Sequence, residues 1–237
     1  DAQIEESNSL LRTGYTVSAV VVGCTNEGAI TAKKKAVGGI CGRMDLGLIQ
    51  DCEAYGDVTG GDQVGGIAGA SSAKIKASWA KCTLSGGNYV GGILGEGTDS
   101  DLTKGTSTVQ NCRALVDIAE SDQFAGAISG GQSGNFSGNL FVSDSLRGID
   151  RLSRAGQAEP ISFAEMLALE NTPSGFRKLT VTFKDEDHVL GKLNVDYGAS
   201  ITEADYPELP TKEGCYTQWS TPSLESLHLD TVVSVVY

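Results

Sequence analysis

Proline is missing from the first 145 of the 237 residues, histidine occurs only twice, and Lys and Arg number 18 against 30 Asp and Glu. Each shortage excludes something. A net charge of −12 leaves no basic excess to neutralise phosphates, so nucleic acid is not expected as a partner. No CxxC occurs, and His188 and His228 both lie in the C-terminal part, which removes the common zinc signatures. No cofactor or metal is expected. The longest apolar stretches, Ala19 to Val22 and Val232 to Val236, fall far short of the ~20 residues of a membrane-spanning helix, so membrane insertion of this segment is not expected either. Beginning at Asp1 with no initiator methionine or signal peptide, the sequence reads as a mature form or a segment of a modular array.

What the chain has is glycine. Of 31 glycines, 25 precede residue 146 and 6 follow it, and all five prolines lie in the later part. Two architectures are expected. In the first, Cys24, Cys52, Cys82 and Cys112 fall 28, 30 and 30 residues apart, while Cys41 and Cys215 stand outside the series. A second series interleaves with it: VGGICG at 37–42, VGGIAG at 64–69, VGGILG at 90–95 and a degraded FAGAIS at 124–129. After each cysteine the chain alternates, as in CEAYGDV from Cys52, CRALVDI from Cys112, LFVSDSL from Leu140 and, less well, CTNEGAI from Cys24. One face then carries Cys52, Ala54, Gly56 and Val58, or Cys112, Ala114, Val116 and Ile118, all small or apolar and suited to burial. Short alternating strands with a period near 30 predict a mainly β fold, a parallel β-solenoid of four to five coils of about 28–30 residues. The cysteines read as stacked core thiols with a weak S–H donor, because side chains on neighbouring parallel strands point the same way and bridge poorly. The Gly-Gly pairs read as sites of positive φ or of close backbone approach.

VGGIAG and VGGILG, followed at coil spacing by DCEAYG and NCRALV, resemble the GLUG-motif repeats of bacterial cell-surface and secreted proteins over about residues 20–145. The last copy departs, with Ala125, Ala127 and Leu140 in place of Gly, Ile and Cys. The resemblance implies a β-solenoid stalk or adhesive module, an extracellular or cell-surface location, and no shared catalytic residues.

Residues 1–12 read as a polar, partly helical cap on the solenoid, within a first domain of residues 1–145. A linker and capping helix follow over 146–175: Ser162 to Glu165 has the form of a capping box before Met166, Leu167 and Leu169, and Pro173 stops the pattern, which predicts a helix near 163–170. From Phe176 the period becomes two, with Leu179, Val181 and Phe183 on one side and a second strand from Leu190 to Tyr197 after the turn KDEDH. Ser200 to Glu203 is another capping-box form. Residues 176–237 are thus expected to form a small α+β domain with Trp219, Tyr197 and Phe183 in its core. VTFKDEDHVLGKLNVDYGASI, LPTKEGCYTQW with Lys212, Gly214 and Trp219, and the final strand resemble the internalin-type B-repeat, which implies a β-grasp-like module of bacterial surface proteins.

Catalysis by a solenoid would need titratable groups converging on one face. Asp57 and Asp117 take equivalent outward positions but two coils apart, with Gly87 placed between them. Asp62, Asp99, Asp101 and Asp122 sit in glycine-rich turns and read as turn formers, and DSDLTKG at 99–105 only begins like a calcium loop. No catalytic residue is assigned. The leading expectation is a non-catalytic stalk or adhesion segment whose partners are a host or matrix protein or glycan and neighbouring modules of the same polypeptide. The alternative is a glycan- or protein-binding domain using outward side chains, with Tyr55, Arg113, Leu115 and Phe141 as candidate ligand contacts. A polysaccharide lyase or hydrolase is the third possibility.

Overall fold

Val21, Ile49, Ile75, Val109 and Phe136 stand opposite one another on five parallel strands, Ala19–Val22, Gly47–Gln50, Lys74–Lys76, Thr108–Gln110 and Asn135–Ser137. Each strand opens a new coil of the chain. The computed structural model that shows this describes residues 3–5, 14–16, 18–100, 105–152, 155–221 and 223–237. The chain divides into two units, residues 1–162 and 163–237.

In the first unit every strand of one coil pairs in parallel with its equivalent in the next, which builds four faces. The second face runs from Thr25–Asn26 and Ile30–Thr31 through Glu53–Ala54 and Val58–Thr59, Trp79–Ser85, Arg113–Glu120 and Asn139–Val142 to Ala158–Pro160. The third stacks Val37–Gly38, Val64–Gly65, Asn88–Gly91 and Gln123–Gly126, and the fourth Cys41–Met44, Ala68–Ser71 and Leu94–Gly97, continued by single bridges at Ser129 and Ile149. This mainly β arrangement of parallel sheets is compatible with a β-solenoid. The steps along the first face are 28, 26, 34 and 27 residues. The long step holds an antiparallel pair, Asp99–Ser100 with Gly105–Thr106, inserted at the end of the third coil.

The core is the stack of inward side chains. Ile49, Ile75, Ile67, Ile93, Leu84 and Leu94 are fully buried, each contributing roughly 1.5–3 kcal/mol. Beside them runs the column Asn26, Ala54, Ala80, Ala114 and Phe141, alanine in its middle members and aromatic in the fifth coil. The second glycine of each VGG submotif is fixed by close approach, not by positive φ. A Cβ on Gly39 would lie 2.2 Å from the Gly66 carbonyl oxygen, one on Gly66 2.1 Å from that of Gly92, and one on Gly92 1.9 Å from that of Ala127.

Three readings of the sequence are corrected by the pairing. Cys82 does not belong to the cysteine column: Trp79 pairs with Glu53 and Arg113, so Ser78 stands between Cys52 and Cys112, and Cys82 faces Val116. In the fifth coil the equivalent of cysteine is Asn139, since Leu140 pairs with Arg113. The residue between Asp57 and Asp117 is Thr83. The even spacing of 30 around Cys82 arises because Cys82 sits four residues past Ser78 and the hairpin insertion makes up the count. The last coil also reaches Pro160, beyond the expected boundary at 145, because Ala158–Pro160 pairs with Asn139–Val142. Of the expected cap at 1–12, Gln3–Glu5 is a strand paired with Gly14–Thr16, and residues 1–2 and 6–12 lie outside the described residues.

In the second unit the helix spans Phe163–Ala168. It ends before the expected residue 170 because the Thr172 hydroxyl donates to the carbonyls of Met166 and Leu169, both at 2.9 Å, and Pro173 follows. The predicted hairpin is present as Leu179–Asp185 antiparallel to His188–Val195, two residues earlier than expected for its second strand. Thr231–Val236 pairs in parallel with Leu179–Asp185 and antiparallel with Gln218–Trp219, giving the order second strand, first strand, last strand, third strand. The second capping box falls at Thr202 and Asp205, not Ser200 and Glu203: the Thr202 N–H donates to Asp205 Oδ2 at 3.0 Å. Trp219 and Phe183 are buried as expected, with Trp219 edge-on to Phe183 at 5.5 Å and to Tyr206 at 5.8 Å. Tyr197 is half-buried and stacks on Phe163 at 4.4 Å and on His228 at 4.7 Å.

Candidate functional site

Each coil turns through two corners at which one residue takes positive φ. One column is Gly23, Asp51, Ala77, Asn111 and Gly138, with φ of 64, 52, 45, 54 and 62°. Asn and Asp tolerate this conformation better than most residues, which accounts for the Asp or Asn before Cys in the repeat. The corner interrupts the backbone ladder, and the next side chain repairs it. Ser78 Oγ accepts the Cys52 N–H at 3.2 Å and donates to the Lys76 carbonyl at 2.9 Å. The Cys112 thiol accepts the Ser78 N–H and donates to the Gln110 carbonyl at 3.5 Å. Asn139 closes the series: its Oδ1 accepts the Cys112 N–H at 2.9 Å, and its Nδ2 donates to Val109 and Gln157 carbonyls at 3.0 and 2.9 Å. The column is structural.

The other corner column is Ala36, Gln63, Tyr89 and Phe124, with φ of 62, 61, 63 and 56°. The first three stand directly before the VGG submotif; Phe124 does too once the degraded copy is shifted by one residue from the expected alignment, because Ala125 and not Phe124 pairs with Val90. Positive φ takes these side chains out of strand alternation and swings them toward the fourth face. The Gln63 amide Nε2 donates to Glu96 in the following coil. Ring carbons of Tyr89 lie 3.3 and 3.6 Å from where a Cβ would sit on Gly131, and Glu96 Cγ lies 3.6 Å from the same point. Phe124 stacks on Tyr89 with centroids 4.6 Å apart and planes at 8°. Gln132 Nε2, beside Gly131, donates to Asp150 Oδ2 at 2.6 Å. The result is two parallel rings flanked by two amide–carboxylate pairs. Tyr89, Phe124, Gln63, Glu96 and Asp150 are half-buried and Gln132 is exposed. Gln63 Oε1 is buried with no hydrogen-bond partner among the described residues. Alignment of the repeat on VGG, one residue further back, is the signal in the sequence that marks these positions.

The four residues expected as outward contacts fare differently. Tyr55 is half-buried, its hydroxyl donating to Glu53 Oε2 at 2.5 Å, with the Lys81 ammonium 5.8 Å from its ring centre. Arg113 is half-buried, and its Nη1 donates to the Cys112 and Gly138 carbonyls, both at 2.9 Å. Burial lowers its pKa from the ordinary guanidinium value. Leu115 and Phe141 are not outward contacts: Leu115 is 2% exposed and Phe141 fully buried. Phe141 lies in the inward alanine column because the fifth coil is displaced by one residue from an alignment on Leu140. Leu115 pairs with Lys81 and Val142, which are also buried.

The carboxylates do not converge. Asp57 Oδ1 accepts the Thr83 N–H at 2.8 Å, Asp117 Oδ1 the Ile118 N–H at 2.9 Å, and Asp62 Oδ1 the Asn88 N–H at 2.8 Å. Asp62 therefore links two coils as well as forming a turn. Asp101 and most of the loop that begins like a calcium site lie outside the described residues. Among the described residues no group of three or more His, Cys, Asp or Glu is placed to hold a metal ion. Burial raises the Cys82 thiol far above its ordinary range and raises Cys112 to about 12, and it also raises Cys41 and Cys52. Such thiols carry little thiolate and are poor nucleophiles. Comparison with protein-family models, with curated proteins and with solved structures finds no match to this chain.

Proposed function

We propose that this chain is a non-catalytic module of a bacterial cell-surface or secreted protein, a stalk or adhesion segment whose first unit is a GLUG-type β-solenoid. One observation carries the reading: the same hydrogen-bonded corner recurs from Cys24 to Asn139, so five coils form a continuous stack whose cross-section is held by backbone pairing. Such a stack suits a spacer, since each coil contacts only its neighbours and load passes along the axis. We further propose that the second unit is a β-grasp-like module of the internalin B-repeat type. The order of its sheet supports this, with a hairpin whose first strand lies parallel to the last strand of the chain. No helix among the described residues is long and apolar enough to cross a membrane, and the proposed location is extracellular.

The test is display of the chain on bacterial cells through a cell-wall anchor. The cells should adhere to immobilised host matrix proteins or glycans better than cells carrying an unrelated spacer of equal length. Equal adhesion removes the adhesive role, and release of new reducing ends from polysaccharides by the purified chain overturns the non-catalytic reading.

A further inference from the structure

From the fourth face of the stack we infer a binding site for neutral glycans, made by the Tyr89–Phe124 ring pair and the two amide–carboxylate pairs, Gln63–Glu96 and Gln132–Asp150, beside it. This deepens the adhesive reading by giving it a ligand class and a place.

The chemistry of the patch suits a sugar. Two parallel aromatic rings present apolar surface to the C–H groups of a pyranose, at little conformational cost because each ring has few torsions to fix. The amides and carboxylates of the two pairs add donors and acceptors beside the rings, the pattern of a recognition surface with few polar groups around an apolar centre. The carboxylate of Glu96 fixes the Gln63 amide with Nε2 toward it, so the polar rim beside the rings is held in one orientation. Glu96 and Asp150 are acidic and the whole chain carries −12, so an acidic glycan is disfavoured and a neutral one favoured. The patch is also built at a conformational cost. Gln63, Tyr89 and Phe124 all hold positive φ, and Gly131 leaves the space into which the Tyr89 ring settles.

The purified full chain is run in native gels containing a neutral polysaccharide (β-glucan, xylan, mannan or galactan) and, in parallel, an acidic one (alginate or polygalacturonate). At least one neutral polysaccharide is expected to retard it, and Tyr89→Ala and Phe124→Ala are each expected to weaken that binding about tenfold or more. Ala36 shows that alanine fits this corner, so both variants should keep the wild-type unfolding temperature within a few degrees. If Tyr89→Ala fails to fold, Gln63→Ala and Glu96→Gln take its place and must weaken binding by several-fold. Three results overturn the site: no retardation by any neutral polysaccharide, retardation unchanged in the variants, or retardation by acidic polysaccharides alone. Adhesion of displayed cells to a matrix protein, lost with Tyr89→Ala in the absence of any polysaccharide binding, would overturn the ligand class and leave the adhesive role standing.

Discussion

The backbone N–H of Cys112 donates to Asn139 Oδ1 at 2.9 Å, and the backbone N–H of Ser78 donates to the Cys112 thiol in the coil before. Cysteine, serine and asparagine thus perform one task at one corner. Each supplies an acceptor to an N–H of the preceding coil that the left-handed turn has left out of the ladder, and each donates to a backbone carbonyl.

It follows that Cys112→Ser is tolerated and Cys112→Val is not. Serine keeps both hydrogen bonds, as Ser78 does, and should cost no more than about 1 kcal/mol. Valine leaves the Ser78 N–H buried and unpaired, at about 1–3 kcal/mol, while the Gln110 carbonyl keeps the Ala77 N–H. Urea unfolding of the two variants separates them, and equal stability would dismiss the repair role.

The same substitution should change the response to alkali. The Cys112 thiol has its native pKa raised from 9.0 to about 12 by burial, so above pH 9 the unfolded chain loses a proton that the native chain keeps. Its contribution is complete below pH 9 and falls away as pH rises toward about 12. Unfolding measured at a series of pH values from 8 to 11 should show stability falling with pH, and a shallower fall in Cys112→Ser. An unchanged slope would rule the assignment out.

Asn139→Ala should destabilise by about 2–4 kcal/mol, since its amide serves three backbone groups, two in the fourth coil and one in the last. A smaller loss, under about 0.5 kcal/mol, would mean that water or a shifted backbone replaces it.

Substitutions at glycine should divide sharply. Gly66→Ala places a Cβ 2.1 Å from the Gly92 carbonyl oxygen, whereas Gly191→Ala meets nothing nearer than Pro207 at 3.6 Å. The first is expected to unfold the stack or cost more than about 3 kcal/mol, the second to stay within about 1 kcal/mol. Circular dichroism melts of the two variants decide the matter.

Phe141→Ala should cost about 3–5 kcal/mol as a buried aromatic, and Tyr55→Ala far less. Thermal melts showing Phe141→Ala as mild as a surface change would contradict its place in the core.

The repeat, the inward face from Cys52 to Val58 and the hairpin of the second unit were legible because alternation and period are written directly in the side chains. The register of the corner was not. Ser78 and Asn139 replace cysteine with other hydrogen-bonding groups, and a sequence alignment that follows the sulfur moves to Cys82 and Leu140 instead. The hairpin at 99–106 conceals the slip by restoring a spacing of 30. Phe141 was misplaced by that one-residue shift. Tyr89 and Phe124 escaped for a different reason. Strand alternation has no place for a residue with positive φ, and these two leave the strand pattern at the point where they come together.

The column Asn26, Ala54, Ala80, Ala114, Phe141 has distinct ends and interchangeable middles. The first member bonds to its own turn, Asn26 Nδ2 donating to the Gly28 carbonyl at 2.9 Å, and Phe141 fills the core of the fifth coil with a ring. The length of the stack is therefore editable in whole coils. Duplicating an interior coil should lengthen the stack by ~4.8 Å per copy without disturbing its two end coils, so its reach can be changed by gene duplication.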